Sequence, residues 1–171
     1  MEIRVKTIYD RKALTAMARG MRKTVRRKRS RRSRIVGWVL VALALLLGAG
    51  DLILDPGWEG WLDLAVAALL LAVLLTEDQI NGLLAGRKLL PGSREVETVF
   101  TDADYVTTIQ NAQTRWSYES IRAIAEGTEF IVLALSNRHA QAYDKGGISA
   151  GTAEELLALL RDKTGLPVTP M

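Results

Sequence analysis

Cysteine is absent from the chain, so neither a disulfide framework nor thiolate chemistry can operate in it. Histidine occurs once, as His139, which excludes a multi-histidine metal site. Carboxylates are scarce at the start: ahead of Ile35, fourteen Lys or Arg face only Glu2 and Asp10. The rest of the chain holds nine basic and seventeen acidic side chains, so the net charge of +4 conceals a basic head and an acidic body. No small-residue cleavage site follows the first apolar run, which starts behind a long basic segment. A cleaved signal peptide is therefore not expected.

Two long apolar runs are present, Ile35 to Gly50 and Leu64 to Leu75. The first is uncharged, and Asp51-Leu52-Ile53-Leu54 extends it; the second lengthens if Trp58 to Asp63 enters at an interface. Roughly twenty helical residues at about 1.5 Å each cross a hydrocarbon core of about 30 Å. Val39 to Leu47 is apolar all round, whereas the helix of a soluble domain normally keeps a polar face. The expectation is a transmembrane helical hairpin over residues 35–76, turning at Asp55-Pro56-Gly57. Asp51, Asp55, Glu59 and Asp63 lie around the turn with no Lys or Arg, while basic residues precede the first run and Arg87, Lys88 and Arg94 follow the second. That asymmetry places both termini in the cytoplasm.

Ten Lys or Arg lie between Arg19 and Arg34: Arg19, Arg22, Lys23, Arg26, Arg27, Lys28, Arg29, Arg31, Arg32 and Arg34. They are a topology anchor and candidate contacts for anionic lipid headgroups. Nucleic acid is not expected as a partner, because the segment lacks interleaved aromatic residues and is held against the membrane. Trp38, Trp58 and Trp61 lie near run ends, where an indole is stable at headgroup level, and are read as interface anchors. Asp51 and Asp63 are read as solvated connector residues rather than an ion path.

Around the hairpin the pattern is that of a small α+β domain. Ile3 and Val5 alternate with Glu2, Arg4 and Lys6 as in a half-buried strand that needs a sheet to join. Asp10 caps a helix carrying Leu14, Met17, Met21 and Val25 on one face, so residues 1–34 read as a strand and a basic juxtamembrane helix. Residues 77–93 read as a connecting helix and linker, in which Gly82 and Gly86 give only a weak close-packing signal, and Pro91-Gly92-Ser93 marks a boundary. From Arg94, six short strands follow in an antiparallel meander: Glu95 to Thr101, Tyr105 to Ile109, Gln113 to Tyr118, Ile121 to Ala125, Glu129 to Leu135 and His139 to Tyr143. Turns fall at Asp102-Ala103-Asp104 and Gln110-Asn111. Thr152 and Glu155 have capping-box spacing ahead of Leu156, Leu159 and Leu160, and Gly165 with Pro167 stops that last helix. The domain spans 94–165, with 166–171 as a tail; the first strand would make seven.

This pattern resembles the YcxB-like bacterial membrane proteins. The resemblance is carried by Thr98-Val99-Phe100-Thr101-Asp102, by Trp116-Ser117-Tyr118-Glu119-Ser120-Ile121, by Phe130 to Leu135, and by Tyr143-Asp144-Lys145 with Ile148. It implies two membrane helices, a cytoplasmic pleckstrin-homology-like domain and residence in the bacterial inner membrane. It supplies no catalytic residues.

No catalytic constellation is legible. Trp116 and Ile121 read as core, His139 as an exposed strand residue, and Ser117, Ser120 and Ser136 lack a nucleophile-elbow context. Glu126 and Glu129 read as turn solvation, and Gly146-Gly147 is too short for a phosphate loop. The functional expectation is a non-enzymatic, membrane-tethered binding or scaffolding module without cofactor or metal, engaging anionic lipid, an unknown protein partner or a second copy of itself. The alternative is an accessory subunit of a transporter, or a homo-oligomeric channel, acting through the hairpin. An enzyme acting on lipid is the remaining reading.

Overall fold

The computed structural model describes residues 2–54, 57–89, 92–110 and 112–171. The expected turns at Asp55-Pro56 and Asn111, and Pro91 of the expected boundary, lie outside the described residues. By its internal contacts the chain divides into two units, one of residues 28–80 and one of residues 1–27 with 81–171.

The first unit is a helical hairpin built from α2 (Arg27–Leu54) and α3 (Trp58–Gly86). Both helices are long and apolar enough to cross a membrane. They approach closely where side chains are missing. A Cβ on Gly48 would stand 2.9 Å from the Gly60 carbonyl oxygen, and one on Gly37 would stand 2.7 Å from Leu74 Cδ2. Val41 and Ala67 are buried in this unit, whereas Leu46, Leu47, Leu69 and Leu75 point outward, each at least 60% exposed.

The second unit has two sheets. The first runs in the order β4 (Ala112–Trp116), β3 (Tyr105–Ile109), β2 (Glu95–Phe100), β1 (Ile3–Ile8), β8 (Ile148–Ala150), with every pair antiparallel. The second runs β7 (Ala140–Asp144), β6 (Phe130–Ala134), β5 (Ala123–Glu126), β9 (Val168–Pro170). Its last pair, β5 with β9, is parallel. The N-terminal strand does find its sheet: β1 lies between β2 and β8, with Ile3 opposite Phe100 and Ile8 opposite Glu95. Its alternation is the physical reason, since Ile3, Val5 and Thr7 all turn inward and are buried.

Residues from both sheets and from α4 (Ala153–Thr164) form one core: Ile3, Val5, Phe100 and Tyr105 from the first sheet, Ile124, Ile131, Leu133 and Tyr143 from the second, and Leu156 and Leu160 from the helix. The opposite face of the second sheet carries Ala125, Phe130, Val132 and Ala142, which pack with Ala13 of α1 (Arg11–Lys23). β6 is therefore covered on both faces, and its five residues are all buried. This explains why it is a continuous apolar run rather than an alternation. α1 sits tightly on it, because a Cβ on Gly20 would stand 2.9 Å from Val132 Cγ1.

The caps follow the sequence. Asp10 Oδ1 accepts from the Ala13 N–H at the start of α1. Thr152 and Glu155 exchange both capping-box bonds, and Gly165 closes α4 in the left-handed region at φ 65°. Four expectations need correction. Residues 168–170 are not tail but β9, whose chain end returns along β5 after Pro167 and donates from the Met171 N–H to the Glu126 carbonyl. β8 is an added short strand at the free edge of β1. The hairpin does not stop at residue 76: the helix expected to continue after it does so as part of α3, which runs on to Gly86. The basic segment is two helices rather than one: α1 ends at Lys23 and α2 begins at Arg27.

Candidate functional site

The ten basic residues singled out above are divided by that break. Arg19, Arg22 and Lys23 end α1, where positive charge complements the helix dipole. Arg26 lies in the break, and its Nε donates to the Asn137 carbonyl at 2.7 Å, so this guanidinium helps to hold the β6–β7 turn. Arg27, Lys28, Arg29, Arg31, Arg32 and Arg34 occupy the first turns of α2; all but Arg34 are exposed. Trp38 lies further along α2, while Trp58 and Trp61 occupy the first turn of α3, and all three indoles are exposed.

Inside the sheet unit, Ile121 is core and Trp116 packs at its margin. The Trp116 ring stacks on Tyr105 with centroids 6.4 Å apart and meets His139 at a tilt, 5.6 Å away. His139 is thus an exposed residue leaning on an aromatic ring. The serines shape turns: Ser136 Oγ accepts from the Arg138 and His139 N–H groups, and Ser117 Oγ from the Glu119 N–H. The two glutamates of the β5–β6 hairpin are not bare turn residues. Glu126 Oε1 accepts from Lys145 Nζ at 2.7 Å, and Glu129 lies 3.7 Å from Lys12. Gly146 donates its N–H to Asp144 Oδ1, closing a single 3-10 turn. Among the described residues, no group of three or more His, Asp or Glu is placed to hold a metal ion.

A buried polar group went unseen in the sequence. Thr98 and Thr107 join hydroxyls at 3.3 Å between neighbouring strands, Tyr143 donates to Gln141 Oε1 at 2.7 Å, and Thr7 Oγ1 accepts from the Asp144 N–H at 3.0 Å. The strand alternation held the signal, since Thr98 lies on the inward row of Val96 and Phe100. Burial pushes the phenols up: Tyr9 to about 12, against a hydrogen bond to the Ala142 backbone, Tyr118 to about 12, and Tyr105 and Tyr143 further. The Trp116 Nε1 is buried without a hydrogen-bond partner among the described residues.

Open grooves mark the surface of this unit, and three are lined by charged side chains among the described residues. One, of about 450 Å³, has Lys6 and Arg94 against Glu95 and Glu97. Another, of about 730 Å³, has Lys6, Lys12 and Lys145 against Asp10, Glu129 and Asp144. In both, opposite charges balance. The third, of about 450 Å³, is lined by Arg11, Arg87 and Arg94 beside Leu14, Leu83 and Leu89. Among its described lining residues the one carboxylate is Asp10, already engaged as the α1 cap. Gly82 and Gly86 line it too, and a Cβ on Gly82 would stand 2.8 Å from the Thr15 nitrogen. The glycine pair that carried little weight in the sequence is where the end of α3 meets α1. Comparison of the chain with protein-family models, curated proteins and solved structures finds no match.

Proposed function

We propose that this chain is a non-enzymatic protein of the bacterial inner membrane, a tethered binding or scaffolding module. In this reading α2 and α3 form the transmembrane hairpin, both termini are cytoplasmic, and the sheet unit, pleckstrin-homology-like in arrangement, engages anionic lipid or a protein partner beside the bilayer. The observation that carries it is the outward apolar surface of the hairpin. Only 11% of the most apolar eighteen-residue stretch of either helix is buried, whereas the core helix of a soluble protein is mostly buried. Exposed apolar area costs about 25 cal/mol per Å² in water, and a bilayer removes that cost. The basic turns at the start of α2 and the exposed Trp38, Trp58 and Trp61 suit the two interfaces. The YcxB-like resemblance, carried by the residues quoted above, motivates the choice of membrane and family of folds.

The test is to crosslink the intact protein in its native membrane and purify it, with protein and lipid both analysed by mass spectrometry. Stoichiometric anionic lipid or a reproducible protein partner supports a binding module. A substrate turnover abolished by one substitution in the sheet unit contradicts it.

A further inference from the structure

The groove lined by Arg11, Arg87 and Arg94 holds more basic than acidic side chains, even though Arg94 is shared with the first groove, where Glu95 and Glu97 lie beside it. None of the ion pairs found among the described residues involves these three guanidiniums. All three residues are exposed, and Arg11 is the first residue of α1, so the unpaired N–H groups of that helix start add positive potential. The other side of the groove is apolar: Leu14 is buried against it, and Leu83 is 46% exposed. Arg87 directly follows Gly86, the last residue of α3.

We infer that this groove binds the phosphate of an anionic phospholipid headgroup. Arginine presents paired donors that match two phosphate oxygens, and three such groups hold one phosphate without competition from a free carboxylate. Leu14, Leu83 and Leu89 then meet the apolar carbons of the lipid next to its phosphate, which an inorganic anion lacks. The inference rests on the membrane reading above and names the site within it.

The test uses the full-length protein in neutral detergent, titrated with phosphatidylglycerol and followed by native mass spectrometry. Phosphatidylcholine and inorganic phosphate form separate arms. The variant R11Q/R87Q/R94Q is compared with R122Q/R138Q/R161Q, which removes equal charge elsewhere on the unit. Phosphatidylglycerol is expected to bind the wild type more tightly than either other probe. The groove variant weakens it at least tenfold and the charge-matched variant less than twofold. If the triple variant loses its native circular dichroism, R87Q alone, expected to weaken binding at least threefold, replaces it. Wild-type affinity in the groove variant overturns the inference, as does phosphatidylcholine or inorganic phosphate binding as tightly as phosphatidylglycerol. Alkaline extraction of native membranes is read separately. Release of the wild type into the soluble fraction defeats the membrane reading, whereas retention together with an unaffected groove variant defeats only the groove.

Discussion

Gly82 of α3 meets the backbone of Thr15 in α1: a Cβ at Gly82 would stand 2.8 Å from the Thr15 nitrogen and hydroxyl and 3.0 Å from its Cα. Backbone atoms cannot swing aside as a side-chain tip does. Gly82→Val is therefore expected to destabilise the sheet unit by about 1–3 kcal/mol, the usual cost of overpacking. Gly50→Ala is the control. Nothing lies within 4 Å of that Cβ position, so only the helix-propensity gain of up to about 1 kcal/mol remains. Thermal unfolding in detergent measures both. Equal behaviour of the two variants would refute the close approach.

The inter-sheet core depends on α4. Leu156 and Leu160 are fully buried among residues of both sheets. Leu160→Ala should cost about 2–5 kcal/mol through lost burial and the cavity left behind. Thr152→Ala, which removes one half of the capping box, should cost about 1 kcal/mol. Urea denaturation that ranks the two the other way would show that α4 is held by its cap rather than by its leucines.

Alkali should unfold this unit through its tyrosines. Tyr9 and Tyr118 are raised to about 12 from an ordinary 10, and burial is the main cause for both. The unfolded chain loses these protons first. Stability is then undiminished below about pH 10 and falls as pH climbs through about 12, because the unfolded state binds fewer protons over that window. Tyrosinate absorbance and circular dichroism, followed together from pH 8 to 12.5, should change together. Full tyrosinate absorbance near pH 10 in a protein that keeps its native dichroism would contradict this.

The carboxylates of the hairpin separate a tether from a channel or transporter subunit. Asp51 is exposed, and Asp63 is partly exposed one turn into α3. As solvated connector residues they should tolerate Asp51→Asn and Asp63→Asn without change in lipid or partner binding. A double variant that inserts normally yet loses function would favour the hairpin as the working part.

Much of this architecture was legible because local signals agreed with the global fold. Asp10, Thr152, Glu155 and Gly165 each mark a helix end, and the all-round apolar stretch from Val39 to Leu47 marks α2. The alternation of Ile3 and Val5 called for a sheet partner, but only the fold shows that β1 pairs with β2, across an intervening hairpin. β8 and β9 were not legible. Each has three residues, too few for an alternation to show, and Val168–Pro170 pairs with the edge of β5. The arginine groove was hidden for a related reason. Arg11 is far in sequence from Arg87 and Arg94, and it joins them in one groove where Gly82 and Gly86 let the end of α3 approach α1.

The central claim is tested most directly by topology mapping in intact bacterial cells, which the absence of native cysteine makes clean. Gly57→Cys, in the connector, and Ser136→Cys, in the β6–β7 turn, are each exposed to a membrane-impermeant thiol reagent. Gly57→Cys is expected to label from outside and Ser136→Cys only after permeabilisation. Labelling of Ser136→Cys in intact cells, or of neither variant until the cells are opened, would contradict a hairpin that crosses the inner membrane with its sheet unit in the cytoplasm.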